Sequence, residues 1–252
     1  MAFMTQRRRP PLVLGHRGYR ARFPENTLLA FREALGGGAD GVECDLQKSA
    51  DGRYVVIHDP TTERVTGASL GVAASRFVEL RELDFGRGER LPLLEVMLKE
   101  LPPTVYLDLE LKDETITAAD TESIAGILDA HRSREHLMIS SFAPNLLVPF
   151  RQMGFTVGLL VGEEAAARGF SGLARTLLRI KPQFVNLPVD MFRALGRNRA
   201  LFLCRLLRVF GFSLLFWTVN TAEETAVLAR FASIIVSDEV EKIVGAVRAL
   251  HR

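Results

Sequence analysis

Short runs rich in Val, Ile, Leu and Phe alternate along this 252-residue chain with segments of helical hydrophobic period, at a spacing of roughly thirty residues. That alternation is the strongest constraint on the fold, because a strand followed by a helix and another strand closes naturally into a parallel, right-handed βαβ unit. Eight such pairs are readable. The predicted strands are 12–14, 41–46, 104–111, 137–141, 156–161, 184–187, 213–219 and 233–237, with helices expected to begin near residues 25, 93, 118, 144, 163, 196, 222 and 239. Eight pairs in a chain of this length predict an α/β fold, a (βα)8 TIM barrel forming a single domain over 1–252. Asp51-Gly52 reads as a turn that extends the second strand into a hairpin, and residues 60–90, rich in Gly, Thr and charge, read as an inserted loop over the barrel mouth.

Strand periodicity turns this outline into chemistry. Glu43 and Asp45 are two residues apart and share one face of their strand, with Cys44 opposite. In Tyr106-Leu-Asp-Leu-Glu-Leu-Lys112, Asp108, Glu110 and Lys112 share a face and three leucines take the other. Barrel strands are ordinarily apolar on both faces, since buried charge without partners is costly. Two explanations fit: a buried ion-pair network neutralised by Lys112, or a divalent cation. Glu43, Asp45 and Glu110 offer hard oxygen ligands that suit Mg²⁺ or Ca²⁺, and the lack of thiolates in the set argues against zinc.

Strand ends add two histidines, His16 in Gly15-His-Arg-Gly18 and His58 in Ile57-His-Asp-Pro60. Barrel enzymes place catalytic groups there, and a histidine pair can serve as general base and general acid near neutral pH; each alone is also an ordinary hydrogen-bonded histidine. His131, His136 and His251 fall at helix ends or the chain terminus and read as structural. Arg17 can fork onto a phosphate and Lys112 can add a point charge to it, with salt bridging as the plain alternative for each. Phe23-Pro-Glu-Asn-Thr27 reads as the start of a helix with Glu25 in its first turn.

Charge and cysteine usage narrow the partners. Thirty-two Lys and Arg against thirty Asp and Glu leave no excess of the kind that gathers along nucleic acid. Two cysteines, Cys44 and Cys204, make no disulfide framework and suggest a reducing, cytoplasmic setting. The first residues offer too short an apolar run for a signal peptide, and the most apolar stretch, 200–219, is broken by Arg205, Arg208 and Gly211, so no transmembrane segment is expected. The neighbouring stretch 191–212 mixes arginines with leucines and phenylalanines, which fits an outer barrel helix or a weak membrane-surface contact. Oligomeric state is not legible.

The ordered motifs Gly15-His-Arg-Gly18, Pro24-Glu-Asn-Thr27, Glu43-Cys-Asp45, His58-Asp59, Glu110-Leu-Lys112, Ser141-Phe142 with Pro144, and Trp217-Thr-Val-Asn220 together resemble the glycerophosphodiester phosphodiesterase family over nearly the whole chain. The resemblance implies a barrel and metal-assisted hydrolysis of small-molecule glycerophosphodiesters to glycerol phosphate and an alcohol. It implies that Glu43, Asp45 and Glu110 hold the metal, that His16 and His58 transfer protons, and that Arg17 and Lys112 hold phosphate. Glu25 and Asn26 would line the site and Trp217 would contact glycerol. The chain departs from the family pattern after the last strand, where Ser237-Asp238-Glu-Val240 replaces Thr-Asp followed by Pro, and this loop receives no role. Lipases of phospholipase D or phosphoinositide type on a related barrel, and a phosphate-binding barrel without turnover, remain alternatives.

Overall fold

A computed structural model describes residues 9–112, 115–162 and 169–251. The strands form one nine-stranded sheet: β1 (Leu12–His16), β2 (Gly41–Lys48), β3 (Tyr54–Val56), β4 (Tyr106–Leu111), β5 (Leu137–Ser141), β6 (Thr156–Leu160), β7 (Phe184–Pro188), β8 (Ser213–Trp217) and β9 (Ile234–Ser237). All neighbours pair in parallel except β3, which runs antiparallel on the end of β2. Parallel pairing of β1 with both β2 and β9 closes the other eight strands into a barrel. The predicted TIM barrel and hairpin are both present.

Side chains divide by strand parity. Val13, Val42, Cys44, Leu107, Leu109, Ile139 and Phe216 point outward into the large core under the helices, where Phe31, Met97 and Phe150 meet them. Leu14, Met138, Leu215, Ile234 and Val236 point inward and fill the barrel floor. Both cysteines are buried and free.

Helices Leu28–Gly36, Leu94–Glu100, Thr121–His131, Pro144–Gln152, Gly169–Ile180, Arg197–Val209, Ala222–Leu228 and Val240–Leu250 alternate with the strands. The start expected near residue 163 lies outside the described residues. One predicted start is corrected. Glu25 is not in a helical first turn, because Asn26 has φ 56°, a left-handed conformation that no α-helix continues through, and the Thr27 side chain caps a helix beginning at Leu28. The segment after β3 is not a bare loop either. It carries short helices Glu63–Thr66 and Phe77–Leu80 and a small core of Val55, Ile57, Val72, Leu80, Phe85 and Leu91.

Candidate active site

Sheet register brings the predicted residues together. β2 and β4 pair with Glu43 beside Asp108 and Asp45 beside Glu110, and β1 sets His16 beside Glu43. Since Cys44, Leu107 and Leu109 face outward, four carboxylates converge inside the barrel mouth. Carboxylate oxygens of Glu43, Asp45 and Glu110 lie within 4.8 Å of one another. Asp108 stands slightly apart and accepts from Ser140 Oγ at 2.7 Å; burial pushes its pKa up to about 8, so it is mostly protonated at neutral pH.

Two cations face the remaining three acids. Lys112 Nζ bridges Asp45 Oδ1 at 2.8 Å and Glu110 Oε1 at 2.5 Å, and Arg17 Nε lies 3.3 Å from Asp45 Oδ2. Burial opposes ionisation of Asp45, yet Lys112 and Arg17 outweigh it and hold this carboxyl well below the usual range. Glu43 has the opposite balance: burial, then Asp45, Glu110 and Asp108, push its pKa well up. Burial, followed by the charge of Asp45, moves Glu110 up to about 7. An oxygen-only donor set in which neighbouring acids push up the pKa of Glu43 and Glu110 fits a hard divalent cation, which would offset that repulsion.

Both histidines are braced in the same way. His16 Nδ1 is 2.7 Å from Asp238 Oδ1, and His58 Nδ1 is 2.6 Å from Asp59 Oδ1. An ionised carboxylate only accepts, so each Nδ1 carries the proton and each Nε2 is left for the cavity. His16 Nε2 lies 4.0 Å from Glu43 Oε2. Burial lowers the pKa of His58 in spite of nearby Asp45, favouring the neutral ring. Asp238 is fixed by Asn220, whose Nδ2 donates to Oδ2 at 2.9 Å and whose Oδ1 accepts from the Asp238 backbone at 2.9 Å. The turn carrying His58 is held from below by buried Gln47, whose Nε2 donates to the carbonyls of Ile57, His58 and Asp59.

A cavity of about 230 Å³ is lined by His16, Arg17, Glu43, His58, Glu110, Lys112 and Trp217, together with Asp108, Ser140, Phe142, Leu160, Leu215 and Val236. Its apolar wall is built on Trp217 and Phe142, packed edge-on at a centroid distance of 5.8 Å, and the buried Trp217 indole N–H has no hydrogen-bond partner among the described residues. Glu25 and Asn26 are not part of the lining. Asn26 Nδ2 donates to Asp45 Oδ2 at 2.8 Å from behind, and Glu25 pairs with Arg17, Arg20 and Arg64. The Gly15-His-Arg-Gly18 turn is tight enough to explain its glycines: Gly18 has φ 83°, and a Cβ there would stand 2.6 Å from the Ala30 backbone. Arg17 itself has φ 52°, and its amide donates to Glu43 Oε2 at 3.0 Å.

Sequence reasoning missed Asp238, Asn220, Asp59, Gln47 and Arg64 as site residues. Asp59 and Asn220 stood inside recognised motifs, which was an available signal, whereas Asp238 lay in the last-strand segment that departs from the family pattern. Gln47 was also in view, two residues after Asp45 on the same strand face; Arg64 had no local signal at all.

The sequence profile of the glycerophosphoryl diester phosphodiesterase family matches residues 16–242. The chain belongs to this family. The glycerophosphodiester phosphodiesterase of Caldanaerobacter subterraneus subsp. tengcongensis is 28% identical over 250 residues, covering 94% of this chain and 98% of the relative. The glycerophosphodiester phosphodiesterase structure from Thermotoga maritima matches with a TM-score of 0.81 at 28% identity, covering 94% of this chain and 99% of that one. An Oleispira antarctica phosphodiesterase, solved with the product sn-glycerol-3-phosphate, shares the fold at a TM-score of 0.78 and 24% identity, with 95% and 97% covered. Of the motifs shared with the glycerophosphoryl diester phosphodiesterase family in the sequence, Gly15-His-Arg-Gly18, Glu43-Cys-Asp45, His58-Asp59 and Glu110-Leu-Lys112, with Phe142 and Trp217, contribute side chains to the cavity wall. No helix among the described residues is long and apolar enough to cross a membrane.

Proposed function

We propose that the protein hydrolyses glycerophosphodiesters to glycerol phosphate and an alcohol, with a divalent cation, Mg²⁺ or Ca²⁺, held by Glu43, Asp45 and Glu110 and with His16 and His58 as the proton-transfer pair. The observation that carries this reading is a cavity lined by Glu43 and Glu110 of the three clustered carboxylates, with Asp45 buried beside them, and by two histidines, each braced at Nδ1 by its own aspartate. When bound, the cation supplies Lewis-acid neutralisation of phosphate charge.

The chain's own groups do the rest. Arg17 and Lys112 set fixed positive charge at the wall where the phosphate oxygens gain negative charge in the transition state. One histidine takes the proton of the nucleophile at Nε2; the nucleophile is water, or the glycerol hydroxyl next to the phosphate, in which case water then opens the resulting cyclic phosphate to glycerol phosphate. The other gives a proton to the leaving alcohol oxygen. Trp217 and Phe142 offer an apolar plane to the glycerol carbons, and the unpartnered indole N–H can donate to a hydroxyl. Two buried thiols outside any disulfide support a reducing compartment such as the cytoplasm. The name of the Caldanaerobacter relative and the product bound by the Oleispira enzyme support the same substrate class.

Phosphorus NMR of glycerophosphocholine incubated with the protein tests this directly. Glycerol phosphate should appear with Mg²⁺ or Ca²⁺ and stop appearing in excess chelator. Undiminished turnover in chelator, with no tightly held metal by elemental analysis, would overturn the cation; no glycerol phosphate from any glycerophosphodiester under either condition would overturn the reaction.

A further inference from the structure

An outer helix of a barrel normally carries one apolar stripe, turned to the strands. The Arg197–Val209 helix carries two. Ala200, Cys204 and Leu207 are buried against the barrel, while Phe202, Leu206 and Val209, spaced i, i+4 and i+7, run along the opposite side. Phe202 is 65% exposed and Val209 83%, and Phe210 just beyond the helix end is 69% exposed. Exposed Arg199 and Arg205 flank this second stripe on its two edges. The preceding outer helix, Gly169–Ile180, adds one more exposed apolar side chain, Leu178, 73% exposed, with exposed Arg175 and Arg179 to one side of it.

Charge is as one-sided as hydrophobicity. Residues 169–212 contain eight Lys and Arg, three over 169–181 and five over 191–212, against one acid, Asp190, in a chain whose whole count is thirty-two against thirty. That acid is paired with Arg193 at 2.9 Å. A solvated barrel helix gains nothing from large exposed apolar side chains, and contiguous exposed apolar groups rimmed by charge mark contact surfaces.

We propose that the outer face of the Arg197–Val209 helix docks on an anionic lipid surface, with Phe202, Leu206 and Val209 in the acyl boundary and Arg199 and Arg205 on the lipid phosphates. An apolar stripe between rows of guanidinium groups has the composition of an in-plane interfacial helix. A second copy of the chain is a poor occupant, because a two-fold contact would press one arginine-rich face onto another. Nucleic acid would use the arginines but leave the apolar stripe without a partner. None of these side chains lines the catalytic cavity, so the surface does not depend on the proposed reaction.

Cosedimentation with vesicles of phosphatidylcholine alone, and of phosphatidylcholine mixed with phosphatidylglycerol, tests the proposal in the intact protein. Binding is expected to the anionic vesicles and to weaken as salt is raised. Arg199→Gln with Arg205→Gln should weaken it about fivefold for each charge removed. Phe202→Ser with Val209→Ser should weaken it by about tenfold or more while leaving thermal unfolding unchanged, since both side chains are already in water. No binding to anionic vesicles at low salt, binding that survives both double substitutions, or a dimer in solution that Phe202→Ser dissociates would each overturn the proposal.

Discussion

Asp238 decides which nitrogen His16 presents to the cavity. Its ionised carboxylate accepts from Nδ1–H on one oxygen and from Asn220 Nδ2 on the other. In Asp238→Asn, the Asn220 donor would claim the new amide's single oxygen, turning its NH₂ toward His16 Nδ1 and forcing the ring proton onto Nε2. That tautomer cannot accept a proton from the nucleophile. Turnover should fall by roughly 10²-fold with little change in melting temperature, a loss typical of a misplaced acid or base. Steady-state kinetics together with ring-nitrogen NMR would check this; turnover within twofold of the parent would rule out an orienting role. The acids and histidines that surround the cavity were legible because strand parity and motif order are local properties. Asp238 was not, since its meaning depends on the closing contact between the first and last strands, 222 residues apart.

At the level of elements, the segment after β3 departs most from expectation. Read from composition it is a loop; folded, it encloses a small core around Leu80, which is fully buried. Ile57 in that core adjoins His58, and Arg64 from the first short helix pairs with both Asp59 and Glu25, so the insertion buttresses the site. Leu80→Ala should therefore cost roughly 2–5 kcal/mol in a denaturant titration, the range for a buried leucine leaving a cavity. A change under about 0.5 kcal/mol, as at an exposed position, would mean the segment is a loose lid. The misplaced helix start has a similar lesson. Pro24-Glu25 looks like an ordinary helix opening, and only the contact of Asn26 with Asp45 on the neighbouring strand shows why the chain turns left-handed there first.

For the whole molecule, the buried carboxylates predict how stability depends on pH. Burial opposes the ionised form of Glu25, but hydrogen bonds from Arg64 and Arg17 outweigh it and hold its pKa at about 2. Asp238 has the same balance, with His16 and Asn220 as its partners, and also stands at about 2. Each lies below the ordinary carboxylate value of roughly 4. The unfolded chain thus binds protons first as the solution is acidified, and the stability these groups contribute, full above about pH 4.5, is lost as pH falls toward 2. Each is worth on the order of 2–3 kcal/mol. Thermal scans across that window should show a steep fall in melting temperature, shallower in Glu25→Gln; an unchanged slope in the variant would contradict the pairing.

A hydrolytic site and a structural ion-pair network would make opposite demands on His16 and His58 in the charged interior of this barrel. Turnover of glycerophosphocholine by His16→Ala, His58→Ala and the double variant, measured beside their melting temperatures, is the decisive comparison. A hydrolytic histidine pair should show losses of about 10²–10⁴-fold for each single change, a double loss far smaller than their product because the pair acts as a unit, and nearly unchanged melting. Near-normal turnover in both single variants, with much lower melting temperatures, would contradict a hydrolytic role.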